Sequence, residues 1–379
     1  MEYLIWIPAV AWTVLLLGWG GFWRADQVLG AAKAPTDWPA DWPAVACIIP
    51  ARDEAATIAQ VVQSLTATDY PGPFQVIVID DGSADGTGEL AAEAGAHVLA
   101  APPLADGWSG KMAAVRAGLA EADRVMPEAA WILLTDADIR HAPGTLRALL
   151  AQGTAGGQDL VSLMARLDMR GLWGGLLIPA FVFFFQKLYP FAWVNRAGHW
   201  MAAAAGGCVL VRRAARSDIG GIEAIRGALI DDCALGRAVK RTGRKIWLGL
   251  ARDEVVSLRD NRSFRSIWQM VARTAFTQLN HSVLLLAGSV LGMGMLYLAP
   301  VGLMVAGVAL GNPLMAIAGL TGWGLMATAY RPTLRHYGIG AARAWTLPLA
   351  GLLYTAMTVG SAVRHWRGRG GQWKGRTYP

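Results

Sequence analysis

The run Trp131-Ile132-Leu133-Leu134-Thr135-Asp136-Ala137-Asp138 passes from four consecutive apolar residues to two acids one residue apart. Its apolar half predicts a strand buried on both faces, as in a parallel sheet. Side-chain direction in an extended chain repeats every two residues, so Asp136 and Asp138 face the same way and can share one ion. Mg2+ or Mn2+ takes such oxygen ligands and commonly shares them with substrate phosphates. The carboxyl end of a strand is also where an open α/β sheet binds ligands. A bare Asp-x-Asp is most often a solvated turn. At the end of a wholly apolar strand it predicts a divalent-metal site at Asp136 and Asp138.

Strands and helices are expected to alternate on either side of this run. Strands are predicted over 45–49, 76–79, 97–99, 160–163, 206–211 and 246–248. Helices are predicted over 54–65, ending at 94, over 112–119 and near 231–242. The stripe Ile58, Val61, Val62 and Leu65 has helical spacing. This alternation implies an α/β fold with a parallel sheet.

The 379 residues are 54% hydrophobic and only 16% charged, which predicts membrane segments. A formal charge of +7, concentrated near the apolar segments and in the C-terminal tail, fits a membrane surface. No zinc-finger spacing or basic-aromatic repeat points to nucleic acid. Cys47, Cys208 and Cys233 form no C-x-x-C pair and read as buried, reduced thiols of a cytosolic compartment.

Residues 3–23 carry no charge, and about 21 residues just cross a hydrocarbon core of about 30 Å. Glu2 precedes the run and Trp19, Phe22 and Trp23 end it, which suits a retained anchor (1–24) better than a cleaved leader. Arg24 and Lys33 then place the α/β domain (43–260) in the cytoplasm. Within that domain the apolar insert 171–194 is interrupted by Pro179, Lys187 and Pro190, and reads as interfacial or re-entrant, with a full span as the alternative. An amphipathic linker helix is expected over 261–281 and an apolar C-terminal region over 282–363. Residues 283–330 predict two spans joined at Gly311-Asn312-Pro313, with Arg331, Arg335 and Arg343 in a cytoplasmic loop. A full span over 344–363 would put the basic tail (364–379) outside. Arg364, Arg367, Arg369, Lys374 and Arg376 favour a re-entrant or surface-lying segment and a cytoplasmic tail.

Four further motifs sit at predicted strand or helix ends. Pro50-Ala51-Arg52-Asp53-Glu54 alone is a turn with acids suited to a helix start. In Ile79-Asp80-Asp81-Gly82-Ser83, Gly82 permits a sharp turn and Ser83 or Asp85 can cap the next helix, while the acids can receive hydrogen bonds from a base or ribose. Gly110-Lys111 at a helix start makes an anion site, though a lone lysine is commonly just surface. Ile230-Asp231-Asp232 opens a helix with acids that either match its dipole or aim a base at a hydroxyl.

Taken in order, P-A-R-D-E, I-D-D-G-S-x-D-G-T, G-K-x-x-A, D-A-D, G-G-C and I-D-D-x-x-L-x-x-x-V-x-x-x-G resemble the family 2 glycosyltransferases of the GT-A fold over about residues 45–250. With its membrane flanks, G-G-C-V-L-V-R-R and the late G-G-Q-W-K-G-R, the chain is most similar to the hopene-associated glycosyltransferases of bacterial hopanoid pathways. The resemblance implies a multi-pass protein of the bacterial inner membrane, a Mg2+ or Mn2+ cofactor, a nucleotide-sugar donor and a lipid acceptor. It also implies that Asp81 binds the uracil ring, with Pro50, Ala51 and Glu54 completing the nucleoside pocket. Lys111 would lie near the diphosphate, Asp136 and Asp138 would hold ribose and metal, and Asp232 would be the general base. Asp231 stands where the family usually has glutamate. Gln269-Met270-Val271-Ala272-Arg273-Thr274 departs from the Q-x-x-R-W of processive members, which argues against a polymer synthase.

The chemistry implied is an inverting displacement at a UDP-sugar by a lipid hydroxyl. A polyprenyl-phosphate acceptor stays open. A transporter or scaffold is disfavoured because Lys187 stands nearly alone as an intramembrane charge. A dinucleotide-dependent dehydrogenase ranks last, because no G-x-G-x-x-G follows the first strand.

Overall fold

The computed structural model describes residues 2–30, 42–368, 372–373 and 376–377. Lys33, Arg369 and Lys374, invoked above for orientation, lie outside them, as does most of the linker before Pro43. The described chain contains nine strands in and around the α/β unit. They are β1 (Val45–Ala51), β2 (Phe74–Asp80), β3 (His97–Ala100), β4 (Trp131–Thr135), β5 (Ile139–His141), β6 (Leu160–Met164), β7 (Cys208–Arg212), β8 (Ile246–Leu250) and β9 (Val255–Ser257).

Seven of them form one sheet in the order β3-β2-β1-β4-β7-β6-β8. Every residue of β1, β6 and β8 is buried, because helices cover both faces and leave the strands no polar side. The sheet corrects the all-parallel expectation at one strand: β7 runs antiparallel to both β4 and β6. Apolar runs buried on both faces carry no signal of direction, so β7 looked like its neighbours. β5 and β9 pair separately beside the sheet and clamp the chain just after Asp138.

The chain builds outward from β1 to β3, then jumps back to lay β4 on the other side of β1. Ligands of open α/β sheets sit at such a switch point. Here the gap is widened locally. Pairing of β1 with β4 stops at Ile48↔Leu134, short of Pro50, which has no N–H to offer β4. The helix Gly110–Val125 closes this region from one face, and bare Gly118 lets it settle onto Ile48 and Ile79.

The apolar segments pack as helices against one another. The N-terminal run is shorter than the anchor expected from 3–23: helix stops at Gly18, and Gly20 and Gly21 turn with φ of 59° and 60°. A side chain at Gly20 would strike Pro190 and Trp193, so the turn is where the insert docks. The helical stretch of about 24 Å falls short of a hydrocarbon core of about 30 Å. Among the described residues three helices are long and apolar enough to cross a membrane: Gly171–Leu188, Val283–Ala309 and Ala341–Trp366. The first continues straight through Pro179. It leaves the sheet after β6 and returns before β7, and those antiparallel neighbours place exit and return at the same sheet edge. Pro313–His336 follows the turn at Gly311 and ends against the α/β unit, where His336 Nε2 lies 3.1 Å from the Ala251 carbonyl.

Candidate active site

Lys111 enters the switch point from the first turn of its helix, which Ser109 caps by accepting a hydrogen bond from Met112 N–H. Its ammonium lies 2.9 Å from Asp136 Oδ1 and 3.1 Å from Asp231 Oδ2. Burial alone would weaken its hold on the proton. The carboxylates of Asp136, Asp231 and Asp232 outweigh that and keep Lys111 charged above the ordinary lysine range. Lys111 thus ties the end of β4 to the start of the helix Asp231–Arg241.

The two acids opening that helix are held differently. Asp231 faces Lys111. Asp232 is gripped by main chain: Gly206 N–H donates to its Oδ2 at 2.7 Å, and Cys233 N–H donates to its Oδ1 at 2.7 Å. Desolvation, followed by the neighbouring charge of Asp231, pushes the Asp232 carboxyl above the usual range, against the pull of Lys111 and the two N–H donors. Gly206 is the first glycine of G-G-C; a Cβ there would stand 3.3 Å from Asp232 Oδ2. Pro50, Lys111, Asp136, Gly206, Asp231 and Asp232 line one cavity.

Asp138 lies beyond the end of β4, its carbonyl accepting from Leu258 N–H at 2.7 Å. Burial raises its carboxyl, and the charges of Asp136 and Glu54 raise it further, against Arg259 and Lys111. Crowded carboxylates of this kind are relieved by a cation. Among the described residues no three His, Cys, Asp or Glu side chains form a ready cage. Mg2+ or Mn2+ is commonly held by one or two carboxylates together with substrate phosphates and water. Asp136 and Asp138, whose charges act on each other, offer a donor set of that chemistry.

At the outer end of β1 and β2 the two loops are stitched together. Asp53 adopts a left-handed φ of 49°, donates its N–H to Ser83 Oγ and accepts from Ala84 N–H, both at 3.0 Å. Asp80 turns back to Ser83 N–H at 2.9 Å, while Asp81 is buried beside Arg52 at 3.4 Å. Ala51 contributes its carbonyl to Asp81 N–H, and Glu54 N–H donates to Thr87 Oγ1 at 2.8 Å. The expected Ser83 or Asp85 cap is displaced: Gly86 is the cap residue, and Asp85 accepts instead from Thr87 and Ala55 N–H.

The structure thus gathers Pro50, Lys111, Asp136 and Asp232 around one cavity. Asp138 and Glu54 stand within electrostatic reach of each other, and Ala51 and Asp81 are joined at the ends of β1 and β2 by the Asp81 N–H to Ala51 carbonyl bond. Two cations went unassigned in the sequence. Arg259 and Arg273 both act electrostatically on Asp138, and Arg273 also on Asp136 and Asp231. Arg259 belongs to no motif. Arg273 was visible only as a departure from Q-x-x-R-W.

An open α/β sheet with acids and cations gathered at its switch point is the GT-A architecture. Residues 46–220 match the profile described as Glycosyl transferase family 2. A segment of 97 residues, 25% of the chain, is 42% identical to glycosyltransferase AglJ of Haloferax volcanii. The match spans 27% of the length of that curated relative. Among solved structures, a mannosyltransferase of Pyrobaculum calidifontis in complex with GDP-Man and Mn2+ superposes with a TM-score of 0.54 at 18% identity, covering 96% of this chain and 99% of that one. At that identity the likeness establishes the fold.

Proposed function

We propose that the chain is an inverting glycosyltransferase that moves a sugar from a nucleotide diphosphate donor, a UDP-sugar, to a lipid hydroxyl. The observation that carries this reading is the meeting of Lys111 with Asp136 and Asp231 at the switch point, beside an Asp232 held by two main-chain amides. Lys111, Arg259 and Arg273 supply the positive charge that a departing diphosphate requires. Pro50, Ala51 and Asp81 suit the nucleoside, with Glu54 completing the pocket. A divalent cation held by Asp136 and Asp138 would add Lewis-acid stabilisation of the leaving group. Asp232, opposite, takes the proton of the acceptor hydroxyl. The sequence resemblance supports a hopanoid hydroxyl as acceptor. Membranes containing the protein should convert labelled UDP-sugar into a lipid product that survives mild acid. An acid-labile product would point instead to polyprenyl phosphate, and preference for GDP-sugar would overturn the donor assignment.

Lys111→Ala is expected to weaken nucleotide-sugar binding by about 10- to 100-fold, the range for a hydrogen-bonded charged group, with lipid binding little changed. Calorimetry with donor and with lipid separates the two; unchanged donor affinity would remove Lys111 from the diphosphate site.

Membrane placement follows the helix ends. The Gly171–Leu188 helix exits and re-enters at one sheet edge, which supports a re-entrant or interfacial insert. Ser361 Oγ donates to the Ala272 carbonyl at 2.7 Å and accepts from Phe276 N–H at 3.0 Å. The last helix therefore ends beside the segment that leads out of the α/β unit. That supports a tail on the same side as the domain, in the bacterial cytoplasm. A cysteine engineered at position 373 should be labelled only from the cytoplasmic face; labelling from outside only would show a complete last span.

A further inference from the structure

The apolar run of the Leu347–Trp366 helix gives way to Arg364 and Arg367, three residues apart and on one face. The amphipathic helix Phe264–Ala272 packs across it. Gly360 permits the close approach, since a Cβ there would stand 2.9 Å from Trp268 Cζ2. The Trp268 ring therefore lies on bare helix backbone, with Phe264 at 5.5 Å between ring centroids. Above this aromatic floor, Arg265, Gln269, Arg364 and Arg367 line a cleft whose lining, among the described residues, includes no carboxylate. Among the described residues none of these three arginines has an acidic partner. Arg262, one turn before Arg265, has two, Asp168 and Asp260. Three guanidinium-bearing side chains around one cleft favour an anion seated among them. Their planar forks match phosphate oxygens.

We propose that this cleft binds the phosphate of an anionic membrane lipid headgroup. The lipid source is favoured over free phosphate by the helix that carries the cleft. Trp366 is exposed beside Arg367, Val359 is exposed before Arg364, and Leu349 and Leu352 are exposed further along the same helix, which is long and apolar enough to cross a bilayer. An indole floor also suits the headgroup level. The inference rests on the membrane placement proposed above and on neither donor nor acceptor. It has a consequence for the site. Arg273 caps the very helix that Trp268 and Arg265 occupy, so a bound lipid would steady the element that carries an active-site cation.

The test uses the full chain in detergent, with native mass spectrometry of bound phosphatidylglycerol, phosphatidylcholine and inorganic phosphate. Phosphatidylglycerol should be retained in preference. The triple variant R265Q/R364Q/R367Q should bind it about 100-fold more weakly, at the usual value of a basic residue near an anionic surface, with phosphatidylcholine unaffected. R265K/R364K/R367K should keep a preference for the anionic lipid and so separate loss of charge from loss of fold. Equal retention of the two lipids by the unmodified chain, or an undiminished preference in the glutamine variant, would overturn the proposal. Inorganic phosphate binding as tightly as phosphatidylglycerol would overturn the lipid assignment. None of these readouts depends on sugar transfer, so they stand or fall apart from the proposed activity.

Discussion

Asp138→Ala is expected to abolish sugar transfer, lowering kcat/KM by about 10³-fold or more, since a Lewis acid at the leaving group contributes several kcal/mol. The side chain lies just beyond the carboxyl end of the buried strand β4. Its carboxyl is crowded by Asp136 and Glu54, an arrangement that costs stability unless a cation joins it. The alanine variant should therefore fold at least as well as the parent, and its residual rate should no longer respond to Mg2+, Mn2+ or chelator. Steady-state turnover across a metal titration, with the unfolding midpoint measured on the same preparation, checks both halves. Near-parental turnover in the variant, or in the parent with chelator present, would remove the metal role.

Asp232→Asn is the second large effect: loss of a general base should slow the chemical step by about 10² to 10⁴, with UDP affinity preserved because Asp81, Lys111 and Asp136 remain. Asp231→Asn should keep measurable turnover, since that carboxylate orients Lys111. The main-chain grip adds a local cost. An amide in place of the carboxylate must point its NH2 at one of the two N–H donors, so a modest loss of stability accompanies the substitution. The pH profile gives an independent check. Burial and the Asp231 charge raise the Asp232 carboxyl, and the base acts only when deprotonated. The acid limb of kcat/KM should therefore rise with pH above the ordinary carboxylate range, and Asp231→Asn should shift that limb downward. A dead Asp231→Asn with a normally active Asp232→Asn would exchange the two roles.

The sheet was legible in the sequence because period and composition mark it. β1, β4 and the Ile58–Thr66 helix fall where apolar runs and spacing put them. Strand direction was not legible, since β7 presents the same apolar run whichever way it points. Within the site, motif residues at strand ends were readable one by one, and Lys111 was readable as a cation near anions. Its bridge between Asp136 and Asp231 joins positions too far apart in the chain for any local pattern to display. Arg259 and Arg273 were hidden for the same reason. Arg259 reaches the site from the very end of the expected α/β domain and Arg273 from the expected amphipathic linker helix. The length of the N-terminal helix was hidden by hydropathy, because Gly20 and Gly21 end the helix without interrupting the apolar run.

The grip on Asp232 bears on how this protein could be re-engineered. A side chain aimed by other side chains can be re-aimed by substituting them. This carboxylate is aimed by the amides of Gly206 and Cys233, and Ser162 Oγ in turn receives the Ala205 N–H at 2.8 Å. Libraries of point substitutions around the cavity should therefore reshape the space beside Asp232 while leaving its carboxylate where it is. Moving that carboxylate would take an insertion or deletion between Ala203 and Cys208.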